Sequence, residues 1–89
     1  MNTRIYAIYD KVAKDHGPLF EAPNDEVAFR MIRRIKELTE APEEYRLDLF
    51  GAFNRSEQLS KIDLLPSPEE VYFTMPPKSN VTNKEATNV

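Results

Sequence analysis

From Arg4 to Lys11, Ile5, Ala7 and Tyr9 alternate with Arg4, Tyr6, Ile8 and Asp10, a period-two pattern rich in β-branched and aromatic residues that predicts a strand. Both faces of this strand carry apolar groups. Ile5 and Tyr9 fall on one side and Tyr6 and Ile8 on the other, which places the strand centrally and asks for a cover on each face. Gly17-Pro18 and Pro23 then interrupt the chain around Leu19-Phe20, predicting a loop or short extended segment that leads into a helix.

Asn24 or Asp25 can cap that helix, which the pattern extends from Asp25 to about Glu40 with Pro42 just past its end. At about 100° per residue Val27, Ala28, Met31, Ile32, Ile35 and Leu38 share one stripe, the expected core face. Tyr45, Leu47 and Leu49 alternate with Arg46 and Asp48, so a second strand follows with one buried and one wet face. Phe50-Gly51-Ala52-Phe53 breaks the alternation, and Gly51 marks a candidate bulge. Leu59 to Leu65 predicts a third strand closing a hairpin, with Ile62 and Leu64 on one face. Ser67-Pro68-Glu69-Glu70 has the form of a capping box, but Pro76-Pro77 follows so soon that either a single helical turn or an extended edge segment fits. Pro76 to Val89 is too poor in apolar groups to offset the entropy of ordering it and is expected to be disordered. The predicted fold is α+β: a small single domain over residues 1–75, strand-helix-strand-strand, with one main helix on an antiparallel or mixed sheet, and a disordered tail over 76–89.

Size and composition sharpen this picture. A chain of 89 residues buries only about 60% of the surface its unfolded form exposes, so its stability margin is thin. Without cysteine it has neither disulfides nor a thiolate metal site, which fits a reducing compartment and leaves dimerisation as the remaining staple. Tyr6 and Ile8 are the surface expected to meet a second copy, with the helix covering the other face. The first ten residues lack a signal-peptide apolar run and nowhere do ~18 apolar residues follow one another, so a cytoplasmic protein off the membrane is expected. A net charge of -3 argues that any nucleic-acid site is local rather than the field of the whole surface.

Candidate chemistry is sparse. Only His16 offers an imidazole, in a loop beside Gly17 and without a cysteine nucleophile, so no enzyme is expected. Asp10, Asp15 and His16 match no metal-ligand spacing, two glycines cannot build a phosphate loop, and neither metal, cofactor nor small-molecule substrate is predicted. The helix carries Arg30, Arg33, Arg34 and Lys36 away from its core stripe. Glu26, Glu37 and Glu40 stand four residues from Arg30, Arg33 and Lys36, so a salt-laced solvated face is the plain reading of this run. Phe29 lies beside these cations, either as a border core residue or as an exposed ring that stacks a base.

Three blocks then resemble one family. Ile5-Tyr6-Ala7-Ile8-Tyr9-Asp10, Gly17 to Asp25 running into Ala28-Phe29-Arg30, and Pro42 to Leu47 with Gly51-Ala52-Phe53-Asn54 are similar in order and spacing to the small nonstructural protein of gokushoviruses, the single-stranded DNA phages of the Microviridae. The resemblance spans about residues 4–54. It implies a nonenzymatic bacteriophage protein in the host bacterial cytoplasm, DNA-binding, serving viral DNA replication and genome packaging into the procapsid. Joined to the basic helix, it predicts binding of single-stranded DNA with little sequence preference through Arg30, Arg33, Arg34, Lys36 and Phe29. The rival expectation is an adaptor that docks replication proteins onto the procapsid without touching DNA, and a weaker one is an inhibitor of a host protein.

Overall fold

The computed structural model describes residues 2–56 and 58–75. Asn2–Asp10 forms β1, Asp15–His16 β2, Phe20–Ala22 β3, Asp25–Ile32 α1, Lys36–Glu40 α2, Tyr45–Arg55 β4 and Ser60–Val71 β5. A 3₁₀ turn, Pro42–Glu44, joins α2 to β4. Every strand pairing is antiparallel, in the order β2-β1-β4-β5, with β3 sharing the β2 edge of β1. The domain is therefore α+β, a helix layer on one antiparallel sheet.

The link between β1 and β2 is tied by Asp10, whose Oδ1 accepts from the amides of Val12 (2.9 Å) and Ala13 (3.0 Å). Lys14 closes the turn in the left-handed region at φ 58°. The segment predicted as loop or short extended chain is in fact two short strands that border β1.

Residues directly opposite across antiparallel strands share a face. Tyr6 pairs with Leu49 and Ile8 with Leu47, and Tyr6, Leu47 and Leu49 form the core with Ala22, Ala28, Ile32 and Leu38. The helices thus cover the Tyr6 face. This corrects the expected dimer surface: Tyr6 is fully buried inside its own chain, stacked 5.5 Å from Phe20, and Ile8 packs at the edge of the same core. The face of β1 that the helices leave open carries Ile5, Ala7 and Tyr9.

Asn24 caps α1 by accepting from the Val27 amide at 2.9 Å. The predicted single helix is broken: α1 ends at Ile32, Ile35 is extended (φ -87°, ψ 116°), and α2 restarts at Lys36. Thr39 Oγ1 donates to the carbonyls of Arg33 (3.2 Å) and of Ile35 (2.9 Å), the latter also accepting the Thr39 amide (3.0 Å), and so ties α2 back to the turn. The turn brings Leu38 fully into the core while Met31 and Ile35 stay 41% and 38% exposed, so the stripe expected to be continuous is buried only in part. No local sequence signal marks this break; tertiary packing of Leu38 overrides helix propensity.

Register shifts on both sides of Phe50. Tyr6 pairs with Leu49 but Ile5 with Gly51, and on the far side Leu49 pairs with Glu69 but Gly51 with Leu64. The bulge expected near Gly51 is there. A Cβ at Gly51 would lie 2.2 Å from the Asp63 carbonyl oxygen, so the glycine serves close approach of β5. Leu65-Pro66-Ser67-Pro68 bows away from β4, as two residues without N–H groups demand, and the segment from Ser67 is extended rather than helical up to Val71. Expectations for Pro76 to Val89 lie outside the described residues.

Candidate nucleic-acid interface

Arg30 closes α1, Arg33 is its C-cap, Arg34 sits in the turn and Lys36 begins α2. All four are exposed. Cations at a helix C-terminus are favoured by the partial negative charge of its free carbonyls, which accounts for Arg30 and Arg33 locally. Among the described residues none of the four side chains has an ion-pair or hydrogen-bond partner, so the pairs expected from Glu26 to Arg30 and from Arg33 to Glu37 do not form. The four cations thus straddle the α1–α2 junction rather than running along one continuous helix. Phe29 takes the first of its two expected roles: it is half-buried, packs against the core and lies 6.3 Å from the Phe73 ring.

A second cluster, on the open sheet face, was missed in the sequence. Asp48, expected on a wet face, is 2% exposed. It accepts from Arg46 Nε (2.8 Å) and Nη2 (3.0 Å) and from His16 Nε2 (2.7 Å). Burial pushes the Asp48 carboxyl up, but the Arg46 bonds and then the His16 bond outweigh it and hold the group below its ordinary value. The Arg46 guanidinium lies 4.3 Å over the Tyr9 ring, and His16 contacts Tyr9 at 4.8 Å and Phe50 at 5.0 Å. Arg55 lies 4.1 Å over Phe53 and bonds Glu21 at 2.7 Å. Glu21 also takes the Thr3 hydroxyl at 2.6 Å, and these bonds, Thr3 first, lower its carboxyl. The arginines of this face thus have their charge met by carboxylates. The signal for the cluster was Arg46 and Asp48 two apart on one strand, with small Ala7 opposite Asp48 leaving room for it.

On the helix side, Tyr6 Oη donates to Asp25 Oδ1 at 2.6 Å, and Arg4 Nε bonds the same oxygen at 3.1 Å. Burial, then the Asp25 acceptor, pushes the Tyr6 hydroxyl up to about 12. Asp10, Asp15 and His16 do not converge: Asp10 ties its turn, Asp15 accepts from the His16 amide and His16 faces Asp48. Among the described residues no helix is long and apolar enough to cross a membrane. Together these features define a small α+β domain whose cationic α1–α2 junction has no ion-pair partner among the described residues. Compared with protein families, with curated proteins and with solved structures, the chain matches none.

Proposed function

We propose that this chain is a nonenzymatic binding protein that holds single-stranded DNA with little sequence preference, acting in phage genome synthesis and packaging as its resemblance implies. What carries the reading is the α1–α2 junction, where Arg30, Arg33, Arg34 and Lys36 stand without acidic partners among the described residues of an acidic protein. Phosphates are the ligands that such a patch fits, since arginine offers two parallel donors to each. Phe29 supports the fold beneath the patch rather than stacking a base.

The test is fluorescence anisotropy of a labelled single-stranded oligonucleotide across a salt series. Each phosphate neutralised contributes a slope of about -0.7 in log affinity against log salt. Replacing Arg33 and Arg34 together by Ala should flatten the slope by about one unit. Melting should hardly change, because both side chains are exposed. Equal affinity and equal slope in parent and variant would remove the junction as a DNA site. The adaptor reading has its own support in an apolar groove beside the junction, formed by Ile8, Leu19, Phe20, Met31 and Ile35 with Leu19 61% exposed. A parent that shows no salt-dependent retention of DNA would favour it.

A further inference from the structure

Among the described residues the outer edge of β5 carries no partner strand. Among the described strands Ser60–Val71 pairs with β4 alone, and its first half exposes Ile62 (54%) and Leu64 (68%), with Leu59 (66%) just before it. Edge strands of this kind are templates for another strand unless something blocks them. Here Pro66 and Pro68 block the far half, leaving Ser60 to Leu64 as the part able to form a ladder. Leu59 is already committed through its backbone, its amide to Ser56 Oγ (2.9 Å) and its carbonyl to the Ser56 amide (2.9 Å).

We infer that β5 pairs antiparallel with β5 of a second copy about a two-fold axis at Ile62, through Lys61–Asp63 pairs and an Ile62–Ile62 contact, joining two sheets into one. The residue order carries the assignment. About this axis Ile62 meets Ile62, Lys61 meets Asp63 in both directions, and Ser60 meets Leu64 at the ends of the ladder, with the Leu59 and Leu65 side chains just beyond it. Opposite charges directly across strands attract and apolar pairs there pack. An isologous contact needs this self-complementarity. Shifting the axis by one residue in either direction sets Lys61 against Lys61 or Asp63 against Asp63, so the charges select one register. Within one chain Lys61 and Asp63 are solvent-facing, 65% and 50% exposed and 3.4 Å apart, and Asp63 keeps a second oxygen on Asn54 Nδ2 while the first can take a lysine across the axis. The pairing also extends the open face: Ile62 lines a groove with Ile5, Leu19 and Phe53, which the second Ile62 would border. This contact uses neither Tyr6 nor Ile8 and is independent of the nucleic-acid reading.

Analytical ultracentrifugation of the full chain over a micromolar concentration series tests it, with a melting curve for each variant. The parent should pass from 10.3 kDa to twice that mass as concentration rises. Lys61→Asp alone and Asp63→Lys alone should each weaken association at least tenfold while the melting temperature measured at low concentration stays put. The double exchange Lys61→Asp with Asp63→Lys should restore the dimer, because each charge again meets its opposite. Ile62→Lys, at a position already half exposed, should leave a folded monomer. A parent that sediments as a monomer throughout overturns the proposal. So does a dimer indifferent to the single charge reversals, or a double exchange that fails to recover association.

Discussion

Replacing Asp48 by Asn changes one charge at nearly constant volume in a group that is 2% exposed. The carboxylate takes three donors, two from Arg46 and one from His16. Asn has one acceptor oxygen, so an amide N–H must face one of those donors. Removing a partner from a fully buried ion pair costs about 3–5 kcal/mol, but the Arg46 and His16 side chains are 33% and 32% exposed and regain water, which brings the expected loss to about 2–3 kcal/mol. In a domain of this size each kcal/mol moves Tm by about 4–8 °C, so a fall of roughly 10–20 °C near neutral pH is expected from calorimetry. The pH dependence follows from the lowered folded-state pKa. As pH falls the unfolded chain takes up its proton first, at the ordinary aspartate value of 3.8, and the native state resists until lower pH. The Asp48 contribution is therefore complete above about pH 5 and is lost as pH falls through the folded value, so parent and variant should converge in strong acid. A variant as stable as the parent at neutral pH, or a gap that keeps its size into strong acid, would show that the buried carboxylate is not held as an ion by Arg46 and His16.

Gly51→Ala should cost about 3 kcal/mol or more and detach β5 first, because the new methyl meets backbone at Asp63 and Leu64 rather than a movable side chain; amide exchange along β5 reports it. Tyr6 has a raised folded pKa, so its contribution is complete below the ordinary value of 10.0 and is lost as pH rises toward about 12; Tyr6→Phe should lose about 1 kcal/mol at neutral pH and flatten that alkaline fall. Lys14→Gly should raise stability by about 0.5–1 kcal/mol in chemical denaturation, since glycine adopts φ 58° without the side chain's strain.

How far the sequence was legible depends on the range of the forces involved. The β1 alternation, a cap at Asn24 or Asp25, the Gly51 bulge, the strand from Tyr45 and the first half of β5 follow from local chemistry and were visible in the residue pattern, while the extension of β5 past Leu65 to Val71 was not. The helix break was not, since Arg33 to Ile35 contains no breaker and the turn exists to seat Leu38 against the sheet. Which face of β1 the helices would choose was equally hidden: Tyr6 with Ile8 and Ile5 with Tyr9 are similar in apolar content, and only packing with Leu47 and Leu49 separates them. Of the candidate site, the four cations were legible as residues but their lack of partners was not: the break parts Arg33 from Glu37, while Glu26 and Arg30 share α1 and still do not pair. The Asp48 cluster needed the strand register, which brings His16 beside Tyr9 and Tyr9 beside Arg46.

The pairing of β1 with β4 sets when this chain can fold. Asp10 lies across from Tyr45 and Asn2 from Asn54, so the central ladder joins distant parts of the sequence and must close long loops before it gains anything. Before β4 exists, β1 has only the short β2 and β3 beside it, and small ribbons of that kind are marginal in water. The helices cannot stand in for it, because α1 has 8 residues and α2 has 5, below the ~12–15 that an isolated helix needs. Folding is then late, cooperative and slow for the length, as in other topologies dominated by distant contacts. A nascent chain that has not yet reached Tyr45 holds Tyr6, Ile8 and Ile32 without their core, and the apolar groups stay open to wrong contacts until β4 arrives.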